Sequence, residues 1–328
     1  MNITTKYMGL ALKNPIIASS STLTGSADEV IKLDKAGVGA VVLKSIFEEE
    51  ILGKAAAVVD AGGGANRDNS SEEYINYYIK QNSLSNYLDL IKTCKKKISV
   101  PVIASINCRS AGAWIDFARQ IEGAGADALE VNIFLLPAGI KTKISELEKI
   151  YLDIARMVSS AVSIPVALKV SPYFTNLASM FNDLSITGIK SLVLFNRFYN
   201  PDINLSSLEF TSSSVYSSPS DIAMPLRWIG ILSGKLQCDF AATTGVHDGD
   251  ALIKVLLAGA KVAEIASALY IHGYGRIQAM QERLEGWMKD HRFNGIEDFR
   301  GRLSQENISD PSLYERAQFM KYYSGYNR

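Results

Sequence analysis

The chain has 328 residues, 47% hydrophobic and 21% charged, the balance of a globular protein with a sizeable core. Its 34 basic residues offset 34 acidic ones, so no net charge supports a nucleic-acid partner or a membrane-surface role. Cys94, Cys108 and Cys238 are widely spaced and form no CxxC pair, which argues against a disulfide framework, a zinc knuckle or an iron–sulfur cluster.

The opening residues Met1–Lys6 lack the apolar centre of a signal peptide, and no run approaches the roughly 18 apolar residues of a membrane span. A cytoplasmic protein with no membrane partner is expected. Along the chain, short apolar runs then each end on a polar residue. Ile16–Ala18 meets Ser19, Ser20 and Ser21; Ala40–Leu43 meets Lys44 and Ser45; Pro101–Ile106 meets Asn107. Leu129–Val131 reaches Asn132, Val166–Leu168 reaches Lys169, and Leu192–Phe195 reaches Asn196. Phe240–Ala242 leads to Thr243, Thr244 and Gly245, and Val262–Ala266 leads to Ser267.

Helix-period segments separate these runs: Asp28–Ala36, Ala113–Glu122, Glu146–Ala161, Ala178–Leu184 and Asp250–Leu257, with another capped by Ser220-Asp221 and ending near Leu232. Gly37, Gly125 and Gly259 recur in an Ala-Gly repeat that closes a helix and opens a strand, and Gly188 stands in a looser copy. Apolar strands alternating with helices predict a single (β/α)8 TIM barrel over 1–328, whose active site lies at the C-terminal ends of its strands. A minimal barrel leaves roughly 80 residues over. They fall in an insertion at 48–99 that holds a glycine run and a Tyr-rich helix, in one at 197–219 expected to be loop, and in a helical tail at 275–328. Both insertions leave the catalytic face. The tail is expected to pack outside the barrel or against a second copy in a homodimer.

Lys44 and Lys169 each follow an apolar strand, so each ammonium is expected in the barrel mouth, where burial demands an anion. The partner is either Glu130, which shares strand parity with Asn132, or a bound anionic group such as a phosphate or the polar edge of a reduced flavin. Thr244, Gly245 and Val246 follow the seventh strand, and Ala266 and Ser267 the eighth, the usual position of a barrel phosphate site. Asn132 and Asn196 add amides suited to a heteroaromatic ring edge. Cys108, beside Arg109, is a candidate base, and His247 a candidate phosphate donor or cap.

These segments resemble the dihydroorotate dehydrogenase family over most of residues 1–290. Leu10–Ile17 followed by Ser19-Ser20 is similar to the family's opening strand and its flavin-contacting Ala-Ser. Leu43-Lys44-Ser45 resembles the Thr-Lys-Ser that carries the flavin lysine, and Pro165–Pro172 the segment of the second lysine. Gly125–Ile133 resembles the Gly-Ala-Asp-x-x-Glu-Leu-Asn strand, and Thr244–His247 with Ala266–Tyr270 the phosphate-loop pair. The resemblance implies FMN as cofactor, held by Ser19, Ser20, Lys44, Ser45, Asn132, Lys169, Asn196, Thr244, Gly245, Val246, Ala266 and Ser267, and a small-molecule substrate.

The departures bear on the substrate. Where the family reads Ile/Leu-Ser-Cys-Pro-Asn, with Cys or Ser taking the substrate proton, this chain reads Ile133-Phe134-Leu135-Leu136-Pro137-Ala138. Leu135 and Leu136 accept no proton and are expected to make the pocket apolar. The family's Asn-x-Met-Gly-Leu, expected around residues 66–74, is absent, and its phosphate-loop glycines appear as Thr244 and Ala266. An FMN-dependent oxidoreductase acting on a small cyclic or unsaturated acid other than dihydroorotate is expected. The alternatives are a degenerate barrel that binds FMN or another phosphate ligand without turnover, and a phosphosugar lyase or isomerase using a strand-end lysine.

Overall fold

The computed structural model describes residues 1–49, 69–108 and 111–315, with the backbone alone for 69–81 and 111. A two-stranded hairpin, β1 (Thr5–Tyr7) and β2 (Leu10–Leu12), precedes the barrel. Its turn residues Met8 and Gly9 both take positive φ, 51° and 84°, the conformation that matches a tight turn to the twist of two strands.

All eight expected runs are strands of one closed parallel barrel. They are β3 (Ile16–Ala18), β4 (Ala40–Val42), β6 (Val102–Asn107), β7 (Ala128–Asn132), β8 (Val166–Val170), β9 (Ser191–Leu194), β12 (Asp239–Thr243) and β13 (Val262–Ile265). The β4–β6 pairing closes the ring, and β5 (Ile46–Phe47) extends it beside the end of β6. Helices α1 (Ala27–Ala36), α2 (Asn69–Lys97), α3 (Ala111–Gly123), α4 (Ile144–Ala161), α5 (Leu177–Ser185), α6 (Ala223–Leu232), α7 (Gly249–Ala258) and α8 (Ser267–His272) alternate with them. The local chemistry agrees with these boundaries. Ser26 caps α1 by accepting from the Glu29 amide, and Asp248 caps α7 by accepting from the Ala251 amide. The repeat glycines Gly37, Gly125, Gly188 and Gly259 take φ of 97°, 92°, 102° and 120°, where a side chain would be strained.

The first insertion holds the expected helix, and the second differs from the loop expected of it. Within 48–99, α2 buries Leu84, Tyr87, Ile91 and Cys94 at helical spacing against the core. It is the barrel's own helix between β4 and β6, so the true insertion is shorter; residues 50–68, including part of the 66–74 stretch, lie outside the described residues. Within 197–219, expected as loop, β10 (Pro201–Asn204) and β11 (Glu209–Ser212) form an antiparallel hairpin whose residues are all exposed. Serine-rich surroundings hid the pairing, whose one apolar cross-strand pair, Ile203 with Phe210, stays exposed. The tail continues through α9 (Gly275–Asp290) to α10 (Ser312–Glu315) and packs on the barrel exterior. There the Tyr314 ring fills the space beside Gly230 of α6, and Gln305 donates its amide to the Gly230 carbonyl.

Two apolar cores result. The larger lies between strands and helices. The smaller lies inside the barrel, where Ile17, Val42, Ile103, Val193 and Val262 meet four alanines, Ala40, Ala128, Ala167 and Ala241. Alanines leave space that strands of a closed barrel cannot collapse to fill. Tyr7, only 1% exposed, enters from the N-terminal hairpin and occupies it, while the Met8 amide donates to Asp239 Oδ2 at 2.7 Å. The bottom is thereby plugged.

Candidate functional site

Inward-facing positions recur every second residue, so the residue two beyond each core position rises toward the mouth. Ile17 is followed by Ser19, Val42 by Lys44, Ile103 by Ser105, Ala128 by Glu130, Ala167 by Lys169, Ala241 by Thr243 and Val262 by Glu264. The interior turns from wholly apolar to mostly polar within one such step. Above it lies a cavity of about 380 Å³ lined by residues from the strand ends, among them Ser19, Ser20, Lys44, Ser45, Asn132, Lys169 and Asn196. Thr244, Gly245, Val246, Ala266 and Ser267 line the same cavity. Every sequence-derived cofactor residue is brought to one place, but several do different work from that expected.

Lys169 is buried and takes two partners, not one. Its Nζ lies 2.9 Å from Glu264 Oε2 and 3.5 Å from Glu130 Oε1, and donates to Ser19 Oγ at 3.2 Å. Ser19 Oγ in turn donates to Glu264 Oε2 at 3.1 Å. Burial alone would lower the ammonium's pKa, but Glu130 and Glu264 outweigh it and hold the lysine above its ordinary range. Glu264 escaped sequence reading because it sits within the apolar run Val262–Ala266. Its signal was a lone charge in a strand covered on both faces, which has nowhere to point except inward to a counter-ion.

Lys44, expected in the mouth with either Glu130 or a bound anion as its partner, is exposed at the pocket wall and has no side-chain partner among the described residues. β4 ends at Val42, two residues before it, whereas β8 runs on through Lys169. Asn196, expected to face a cofactor, spends its amide donors on the carbonyls of Ile133 (3.0 Å) and Lys169 (3.3 Å) and braces strand ends. Ser19 is likewise committed to the ion cluster. Ser20 Oγ meets Ser45 Oγ at 3.1 Å, which continues to Ser105 Oγ at 2.7 Å. Asn132 Oδ1, by contrast, is buried without a hydrogen-bond partner. A ligand N–H would satisfy it.

The phosphate-site expectation fits the backbone. Thr244 takes φ 72° and Gly245 φ 85°, so two left-handed residues turn the chain sharply at the strand end. A Cβ on Gly245 would stand 2.1 Å from the Ile222 nitrogen, so glycine is required there. A β-branched residue at positive φ is strained, and the Thr244 hydroxyl helps hold it by donating to the Phe195 carbonyl at 3.3 Å. The Gly245, Val246 and Ser267 amides have no protein acceptor among the described residues. Ser267 Oγ accepts from the Ser217 amide at 3.0 Å. Ser217 also lines the cavity, and its hydroxyl lies 2.9 Å from His247 Nε2. Asp248, not His247, caps α7, and His247 Nε2 is engaged by the Ser217 hydroxyl. Burial, then His272, lowers its pKa, leaving a neutral ring that orients Ser217.

Cys108, the candidate base, is buried in the outer core and is not among the described residues that line the cavity. Leu135, expected to make the pocket apolar, turns outward into a separate groove beside Ile144 and Tyr151. Phe134 is the side chain that enters the cavity wall, stacked on Phe198 with centroids 4.3 Å apart, and Tyr173 meets Phe198 edge-on.

No helix among the described residues is long and apolar enough to cross a membrane. Residues 2–288 match the Dihydroorotate dehydrogenase family. The chain is 23% identical over 305 residues to the dihydroorotate dehydrogenase B (NAD(+)) catalytic subunit of Thermoplasma acidophilum, covering 92% of this chain and 98% of the relative. Its counterpart in Thermoplasma volcanium is 25% identical over the same length and coverage. The chloroplastic dihydropyrimidine dehydrogenase (NADP(+)) of Arabidopsis thaliana is 21% identical over 62% of this chain and 52% of that protein. A closed parallel barrel with a polar layer at its strand ends and a family match spanning nearly its whole length together make this chain a member of the dihydroorotate dehydrogenase family.

Proposed function

We propose that the chain is an FMN-dependent oxidoreductase acting on a C–C bond of a small cyclic or unsaturated acid, and that dihydroorotate is not its substrate. The observation that carries the first part is the donor set of one cavity: unpaired amides at Gly245, Val246 and Ser267, the cation of Lys44, and the orphaned buried acceptor Asn132 Oδ1. Phosphate suits the amides, and a ring N–H suits Asn132. The residues present thus fit a flavin mononucleotide. Bound there, FMN supplies a two-electron acceptor whose ring gains negative charge on reduction. Lys169 and Lys44 provide the positive potential that stabilises such charge, and Ser45 and Ser20 hold the wall between them. Phe134, stacked on Phe198, adds an aromatic surface to the cavity wall.

The second part rests on the loop after Asn132. It offers Ile133, Phe134, Leu135 and Leu136 where relatives of known pattern hold a proton-accepting Cys or Ser, and Phe134 fills part of the cavity wall. Losing such a base costs on the order of 10²–10⁴ in rate. A Schiff-base lyase is disfavoured at Lys169, because that mechanism needs a neutral amine and two carboxylates keep this one charged.

The test is direct. Protein purified as expressed should release FMN on denaturation, and the loaded protein mixed with dihydroorotate in a stopped-flow instrument should bleach no faster than buffer. A released cofactor lacking a 5′-phosphate overturns the cofactor assignment. Rapid stoichiometric bleaching overturns the exclusion of dihydroorotate. A flavin that photoreduces yet is reoxidised or reduced by no member of a cyclic and unsaturated acid panel supports the degenerate binding barrel instead.

A further inference from the structure

We propose that Glu130 and Glu264 hold one exchangeable proton between them beside Lys169, and that this proton tunes how strongly the cavity stabilises a negative charge. The geometry assigns it. Two carboxylates and one ammonium share a buried layer, so the fully ionised cluster carries one uncompensated negative charge. Glu264 takes the better position, accepting from both Lys169 and Ser19 through Oε2. Glu130 is left with a single 3.5 Å contact at Oε1 and a buried Oε2 that has no hydrogen-bond partner. An ionised carboxylate with an orphaned oxygen in the barrel interior is costly; a protonated one instead gains a donor to offer its neighbour and leaves the cluster neutral.

Burial and then Glu264 push the Glu130 carboxyl up to about 8, against the opposing pull of Lys169. Besides Lys169, the titratable groups around the pair among the described residues are Tyr7 from β1 and Tyr87 from α2. Burial raises both phenols, so neither competes for the proton at neutral pH. Glu264 and Lys169 line the cavity, so solvent protons reach the pair from the mouth without passing the plugged bottom.

The consequence follows from charge alone. With the proton in place the cluster is neutral, and Lys169 offers its field to a ligand. After the proton leaves, the cluster is negative and opposes an anion above it. An anionic ligand therefore raises the pair's affinity for the proton, and its own stabilisation weakens as pH rises through the pair's titration. This second step rests on the flavin proposal; the shared proton does not.

Two measurements separate them. Infrared pH titration of the protein without cofactor should show one carboxylic-acid carbonyl band, sensitive to H/D exchange, that disappears near pH 8. Glu130→Gln should remove it. Glu264→Gln should also remove it from neutral pH, because Lys169 then pairs with Glu130 alone and keeps it ionised. Absence of such a band in the unmodified protein overturns the shared proton, as does its survival in Glu264→Gln. In protein loaded with FMN, the two-electron midpoint potential should bend in its pH dependence where the band titrates, and the bend should vanish in Glu264→Gln. A straight profile with an intact band overturns the coupling alone. Failure to load FMN overturns the cofactor assignment and leaves the infrared result standing.

Discussion

At the level of Ala167 and Val262 the barrel interior is closed by apolar side chains and the ring of Tyr7; one strand step higher, about 6.6 Å along the same strands, Lys169 stands between two carboxylates. Both levels are buried, and both are made by inward-pointing side chains of the same eight strands. The lower level is stabilised by filling space, so its requirements are volume and shape. The upper level is stabilised only while its charges balance, so its requirements are counter-ions and protons. Burial on its own therefore says little about what a barrel residue does. What matters is whether its layer faces the plug or the mouth.

That difference can be broken by mutation. Tyr7→Ala removes the plug and should destabilise by about 3–5 kcal/mol, measured by denaturant or thermal unfolding, with little dependence on pH. Lys169→Met should cost about as much at neutral pH, because it leaves Glu130 and Glu264 buried without a cation. Its loss should shrink on acidification, since protonated carboxyls need no counter-ion. Equal pH dependence of the two variants would erase the distinction between the levels.

The unmodified protein should show a related slope. Glu130 lies at about 8 in the folded chain against an ordinary 4.5, so between those values the folded state keeps a proton that the unfolded chain has released. Its contribution is fully present below the unfolded value and is lost as pH rises through the folded one, at up to about 1.4 kcal/mol per pH unit. Glu130→Gln should flatten that part of the stability profile.

Smaller effects are expected at the rim. Gly245→Ala places a Cβ against the Ile222 nitrogen at φ 85° and should destabilise by roughly 1–3 kcal/mol while abolishing phosphate-ligand binding, measured by calorimetry. Lys44→Ala should change stability by less than about 0.5 kcal/mol, because its ammonium is exposed and unpaired among the described residues, yet weaken FMN binding or lower its potential. Two strand-end lysines would then separate cleanly into one that the fold needs and one that only a ligand needs.

The barrel was legible in the chain because its strands are apolar runs covered on both faces, and such runs need no tertiary information to stand out. The cavity's membership was legible for the same reason: whatever follows a barrel strand arrives at the mouth. Lys44, Asn132, Lys169, Gly245 and Ser267 all line it as expected. Side-chain assignments inside that ring were not legible. Asn196 could brace or bind, and only the positions of the Ile133 and Lys169 carbonyls decided that it braces. Phe134, not Leu135, enters the cavity wall, the side that the alternation of Ala128, Glu130 and Asn132 already assigns to it.

Local sequence thus determined the alternation of strands and helices, their caps and turns, and the side of each strand on which a residue falls, since all of these depend on neighbours within a few positions. Tertiary structure alone decided the pairing of Lys169 with Glu264, residues 95 apart in the chain, and the entry of Tyr7 into the barrel floor. Those contacts join segments whose separation along the chain carries no periodic signal. They exist only because closing the eight-stranded ring turns side chains of strands that are not neighbours toward one another across its interior.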